Sequence, residues 1–191
     1  MDEQSVFISG AAGEGIQTIG DVVARAFLAH GYPVFAVQEY ESRIRGGNSS
    51  HRLRITSAPA NAPRRDADVL LALNPEARNH YAPDLRAGGT LVASEAVDER
   101  TVVVPFHDLA VEHGGSGLYA NAVAAGALAA VLGLPIEIVV QTLAVAVGRH
   151  GGAAVAGNTS AAKAGFEVAR TTLGGRAPKP RKMASNSDLS S

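Results

Sequence analysis

Cysteine and tryptophan are both absent from the chain, and aromatic residues make up only 5% of it. Without thiols there can be no disulfide, no thiolate zinc site, no iron–sulfur cluster and no cysteine nucleophile within these residues. Any such centre that the protein works with must sit elsewhere. An excess of one charge is lacking too: 17 Lys and Arg oppose 18 Asp and Glu, a formal net charge of -1. That balance, with 46% apolar residues, excludes the disordered and nucleic-acid-binding classes. No run reaches the roughly 18 apolar residues of a membrane span. The opening MDEQSVFISG begins with acids and carries only a short apolar stretch, unlike a signal peptide. A cytoplasmic protein with neither nucleic-acid nor membrane partners is the expectation.

Small residues are plentiful instead. Alanine is abundant and glycine occurs 21 times in 191 residues, so the core is built from small and β-branched side chains that let helices and strands approach closely. Layered α/β domains need this. The length suits one domain, expected over residues 1–173, with 174–191 as a linker or tail because GGRAPKPRKMASNSDLSS is proline-bearing, basic and ends in serines.

The chain opens with an apolar run, SVFIS, that ends in Gly10-Ala11-Ala12-Gly13-Glu14-Gly15. Ile19, Val23, Ala26 and Phe27 then recur at helical spacing, with Gly31 placed to end the helix. PVFAV (33–37) follows as a second strand, which predicts a βαβ unit with two parallel neighbouring strands. In SSHRLRIT (49–56), His51, Leu53 and Ile55 alternate with Ser50, Arg52 and Arg54, the pattern of a strand with one wet face. DVLLAL (68–73) is apolar throughout, as in a central parallel strand covered on both sides, and Asn74-Pro75 opens a helix after it. TLVA (90–93) and TVVV (101–104) predict two more strands. The last third is helical: Asn121 to Leu132 up to Gly133, a second helix opening at Pro135, and a third capped by Asn158 and running to about Leu173. The fold class is α/β: three-layer, Rossmann-like, a mostly parallel sheet with helices on both faces and a helical C-terminal third.

Two stretches carry the chemistry. A glycine turn between a strand and a helix N-terminus presents free backbone N–H groups and partial positive charge. It is not a Walker A loop, because Ile16 and Gln17 stand where Lys and Ser/Thr belong. As a dinucleotide fingerprint it is incomplete, offering Gly10, Ala12 and Gly15 with Glu39 as the ribose acid, and Glu14 in the turn would repel a diphosphate. A structural turn and a polar contact to a partner or cofactor are the other readings. The second stretch, QEYESRIRGGNSSHRLRIT (38–56), concentrates charge and glycine at one bend. Gly46 and Gly47 let backbone approach another surface, while Arg43 and Arg45 offer planar donor forks for carboxylate or phosphate. Alternatively Arg43, Arg45, Arg52 and Arg54 pair with Glu39 and Glu41 on a solvated hairpin edge. His30, His51, His80, His107, His113 and His150 lack the paired spacing of metal ligands. Gly114 to Gly117 is no nucleophile elbow, since Leu118 replaces the second elbow glycine.

GAAGEGIQTIGDVVARAFLAHGYPVF, EYESRIRGGNSSHRLRI, DVLLALNPEA, LRAGGTLV, NAVAAGALAAVLGLP and GNTSAAKAGFEVA resemble, in order, the γ domain of 2-oxoacid:ferredoxin oxidoreductases (the pyruvate/ketoisovalerate oxidoreductase γ family). The likeness covers about Val6 to Ala169. It is most similar to the version at the N-terminus of the α subunit of 2-oxoglutarate-type enzymes. The family's G-x-G-G-x-G turn falls on Gly10, Ala12, Gly13 and Gly15, with alanine replacing one glycine, and its S-x-I-R-G-G signature on Ser42, Ile44, Arg45, Gly46 and Gly47. The resemblance implies part of a complex that decarboxylates a 2-oxoacid, 2-oxoglutarate foremost, to an acyl-CoA. Thiamine diphosphate, magnesium and iron–sulfur clusters would be held by the partner α and β domains or subunits, with coenzyme A entering the complex and ferredoxin receiving electrons indirectly. No cofactor is expected on this chain alone, which lacks a GDG-type thiamine signature. Gly10, Gly13, Glu14, Gly15, Ser42, Arg43, Arg45, Gly46 and Gly47 are expected at one end of the sheet, facing the catalytic partners, with no catalytic residue of their own. A stand-alone nucleotide-binding or regulatory module and a pure scaffold are the rival expectations.

Overall fold

The computed structural model describes residues 3–40, 47–57 and 62–178. Six strands, β1 (Gln4–Ala11), β2 (Val34–Tyr40), β3 (Asn48–Ile55), β4 (Ala67–Ala72), β5 (Leu85–Ala93) and β6 (Thr101–Val103), form one sheet in the order β2-β3-β1-β4-β5-β6. The pairs β1–β4, β4–β5 and β5–β6 are parallel. Strand β3 runs antiparallel to both its neighbours, β1 and β2.

This corrects one expectation. β1 and β2 point the same way, as a βαβ unit requires, but they are not neighbours, because β3 lies between them. The connection from Tyr40 to Asn48 is too short for a crossover, so β3 has to turn back on β2 as a hairpin. Its alternation then decides its place. Leu53 and Ile55 join Val6 and Ile8 in the larger core, while Arg52 and Arg54 lie on the opposite face.

Among the described residues six α-helices accompany the sheet: α1 (Ile16–Ala29), α2 (Pro75–Tyr81), α3 (Phe106–Gly114), α4 (Ala120–Leu132), α5 (Ile136–Val147) and α6 (Gly152–Leu173). One face of the sheet carries nearly all of them. There Val6, Ile8, Val69 and Leu71 meet Phe27 of α1, Leu109 of α3, Leu128 of α4, Leu143 of α5 and Ala162 of α6. The other face has a smaller cluster in which Phe7, Leu70 and Leu91 pack with Tyr81 of α2. The apolar run of β4 from Val69 to Ala72 follows from burial on both sides.

Helix α4 is buried from Ala122 to Leu132, all round its circumference, as a hydrophobic helix in a core must be. Its closest partner is α6. A Cβ on Gly126 would run into the Ala162 carbonyl oxygen, and one on Gly165 into the Val123 carbonyl, so two glycines set the separation of these helices. Two boundaries and one element differ from expectation. Helix α6 begins at Gly152, and Asn158 lies inside it with its Nδ2 donating to the Ala154 carbonyl at 2.8 Å. β5 begins at Leu85, with a register shift against β4 between Ala67 and Val69. Helix α3 was not anticipated. Among the described residues no single helix is long and apolar enough to cross a membrane; α3 with the α4 segment passes only as a pair bent by 119°.

Candidate functional site

The glycine turn leaves β1 at the carboxyl end of the sheet. Ala11 pairs with Asn48 at the start of β3, and Tyr40 at the end of β2 pairs with Ser49. The two ends of the charged bend therefore meet the glycine turn at one rim. Ser42, Arg43, Arg45 and Gly46, with Ile44, lie outside the described residues; Gly47 is described and has φ +69°.

Within the turn each residue has a separate job. Gly13 and Gly15 both take positive φ, 92° and 79°, the left-handed region that L-side chains avoid. Around Gly13 a Cβ would meet nothing, whereas at Gly15 it would overlap the side chain of Asn121 in the first turn of α4. Gly15 is the N-cap of α1 and brings no side-chain hydrogen bond to it, so the first N–H groups of that helix are not capped by this residue. Between the helix start and the ends of β2 and β3 lies an open cleft of about 290 Å³, lined by Gly13, Gly15, Gln17, Thr18, Gln38 and Ser49 among others.

Glu14 does not point its carboxylate into that cleft as a free charge. Its Oε2 accepts from the Ala11 backbone N–H at 2.7 Å and from Asn74 Nδ2 at 2.6 Å. The Glu14 N–H donates in turn to the Ala11 carbonyl at 3.2 Å. Asn74 caps α2, its Oδ1 accepting from the Ala77 N–H at 2.7 Å. Gly10 is where the carboxylate passes over β1: a Cβ there would come within 2.7 Å of Glu14 Oε2. Asn74 was legible as a helix start; its tie to Glu14, across sixty residues, left no mark in the sequence.

β1 and β4 are adjacent, and their connections leave for opposite faces of the sheet, α1 to the larger core and α2 to the smaller. Such a switch point is where open α/β sheets gather ligands. Here Glu14 and Asn74 bridge it.

The wider charge pattern splits in two. Arg52 pairs with Glu39 at 2.8 Å, so Glu39 is engaged on the sheet and not offered to a ribose. Arg54 finds Glu3 at 2.9 Å through both Nε and Nη2. The Arg54 hydrogen bonds hold the Glu3 carboxyl below its ordinary pKa, against a smaller opposing effect of burial. His51, on β3, is buried, and its ring packs on Gly20 of α1. Burial lowers its pKa and the Asp21 charge offsets part of that. No group of three His, Cys, Asp or Glu that could hold a metal occurs among the described residues.

Residues 5–168 match the pyruvate ferredoxin/flavodoxin oxidoreductase family. The chain belongs to this family. Among curated relatives, the 2-oxoglutarate synthase subunit KorC of Archaeoglobus fulgidus is 31% identical over 145 residues, 73% of this chain and 78% of that one. In fold it matches the γ subunit of a keto/oxoacid ferredoxin oxidoreductase from Geobacter sulfurreducens, with a TM-score of 0.73 at 28% identity over 88% of this chain and 99% of that one. A 2-oxoglutarate:ferredoxin oxidoreductase from Magnetococcus marinus, solved with 2-oxoglutarate, coenzyme A and succinyl-CoA bound, superposes with a TM-score of 0.83 at 24% identity. That match takes in 97% of this chain and 33% of the Magnetococcus one. The same fold thus occurs as a subunit of about this length and as one third of a longer chain.

Proposed function

We propose that this chain is the γ component of a 2-oxoacid:ferredoxin oxidoreductase complex that converts a 2-oxoacid, 2-oxoglutarate foremost, to an acyl-CoA. The glycine-turn rim of its sheet packs against the thiamine diphosphate domains and helps to cover their active site. The observation that carries this reading is the register Ala11–Asn48 and Tyr40–Ser49, which brings the flanks of both family signatures to one rim.

The donor set of this chain does not fit the redox cofactors. It has no cysteine for a cluster and no three-ligand metal group among the described residues. Thiamine diphosphate, magnesium and iron–sulfur clusters would belong to the partner α and β domains or subunits, and electrons would reach ferredoxin without passing through these residues. A nucleotide module fits less well, because the Glu14 carboxylate lies at the switch point where a diphosphate would bind and Glu39 is taken by Arg52.

The test is co-expression with the α and β components, wild type against Arg45→Ala. Assembly is read by size-exclusion chromatography and turnover by 2-oxoacid- and CoA-dependent reduction of ferredoxin, with 2-oxoglutarate, pyruvate and 2-oxoisovalerate in parallel. Lower turnover or assembly in the variant supports the partner-facing rim. Wild-type values for both refute it, and reduction with none of the three acids refutes the activity.

A further inference from the structure

Asn74 is a surface residue sixty positions from Glu14, yet it makes two hydrogen bonds of 2.6 and 2.7 Å with the two ends of one amide. The amide's orientation follows from its partners. Only the NH₂ end can donate to Glu14 Oε2, and only the oxygen can accept from the Ala77 N–H. Capping α2 alone would be served as well by Asp or Ser. Asparagine caps with one end and donates with the other, whereas ionised Asp has no donor and Ser has a single short hydroxyl for both tasks.

The receiving carboxylate oxygen is also the acceptor for Ala11 N–H. One oxygen therefore ties the last residue of β1, the turn and the β4–α2 corner together. The same carboxylate also fills the space over Gly10, where a Cβ would come within 2.7 Å of Glu14 Oε2. We infer that Asn74 is a positioning residue that acts through Glu14, holding the 12–15 backbone in the shape it presents to the catalytic partner. This rests on the partner-facing reading of the rim.

Amide hydrogen exchange on the full chain tests the tie itself, and turnover of the assembled complex tests what it is for. Asn74→Asp keeps the cap of α2 but sets a carboxylate against Glu14. It should speed exchange at the Ala11 N–H roughly tenfold, a hydrogen bond to a charged group being lost, and lower turnover without changing the melting of α2. Asn74→Ser keeps a capping oxygen on a side chain too short to reach Glu14, and should show the same faster exchange and lower turnover without adding a charge. Wild-type exchange at Ala11 in either variant overturns the inference, since an effect of Asn74→Asp alone would be repulsion and not loss of the tie. Exchange that responds as expected with turnover unchanged in every variant overturns instead the reading of the rim on which the role depends.

Discussion

The guanidinium carbon of Arg52 sits 4.2 Å from the centroid of the Phe7 ring, and its Nη2 is 2.8 Å from Glu39 Oε2. Phe7 is fully buried although it lies on the face of the sheet with the thinner helical cover. One arginine thus roofs an aromatic ring on β1 while pinning the edge strand β2. Lysine cannot lie flat on the ring or share its charge in a fork. Arg52→Lys should lower stability by about 1 kcal/mol and the melting temperature by roughly 2–4 °C, as read by thermal unfolding. A melting point equal to wild type would deny the stacking any weight.

The α4–α6 seam predicts a larger loss. At Gly126 an added methyl meets backbone, the Ala162 carbonyl, and not a side chain that could turn aside. Gly126→Ala should cost about 3 kcal/mol, the upper range for overpacking, despite alanine's better helix propensity. A denaturant midpoint at or above wild type would mean that the two helices part easily.

Gly13 and Gly15 share a positive φ but differ in surroundings. Gly13→Ala bears only the backbone strain, about 1 kcal/mol. Gly15→Ala bears that strain and also displaces Asn121, so its cost should be the greater by at least as much again. Equal midpoints for the two variants in urea would contradict the Asn121 contact.

His51 gives the fold a slope with pH. Its folded pKa lies below the ordinary value of 6.5 because burial opposes the charged ring, and Asp21 recovers part of the difference. Below about pH 6.5 the unfolded chain takes up a proton that the folded one resists, so stability falls with falling pH until the folded pKa is reached. Above that window the residue adds no slope. His51→Asn should flatten the melting temperature between pH 6.5 and 5 relative to wild type. Parallel curves would show that His51 charges freely in the fold.

What the sequence disclosed, and what it hid, follows from the range of each interaction. Ile19, Val23, Ala26 and Phe27 announced α1 because a helix is set by residues three and four apart. The alternation His51, Leu53, Ile55 announced β3 and its buried face. Its position between β1 and β2 was not legible, since pairing is long-range and the βαβ pattern favours neighbours; only the short link from Tyr40 to Asn48 spoke for a hairpin. Asn158 is a common capping residue, but the helix continues upstream to Gly152, with Gly157 packed closely against Tyr119 and the Gly114 carbonyl. At the rim the glycines were visible as a motif. The contacts of Asn74 and Asn121 with the turn were not, because each reaches it from a distant part of the chain.

Both neighbours of β1 come after it in the chain, β3 at 48–55 and β4 at 67–72. During synthesis the N-terminal strand must therefore wait, its hydrogen-bonding edges open to water or to a chaperone, until the ribosome has delivered Ala72. No fragment ending earlier can close both sides of that strand, and a split protein cut within the first seventy residues should be rescued only by adding the missing piece back.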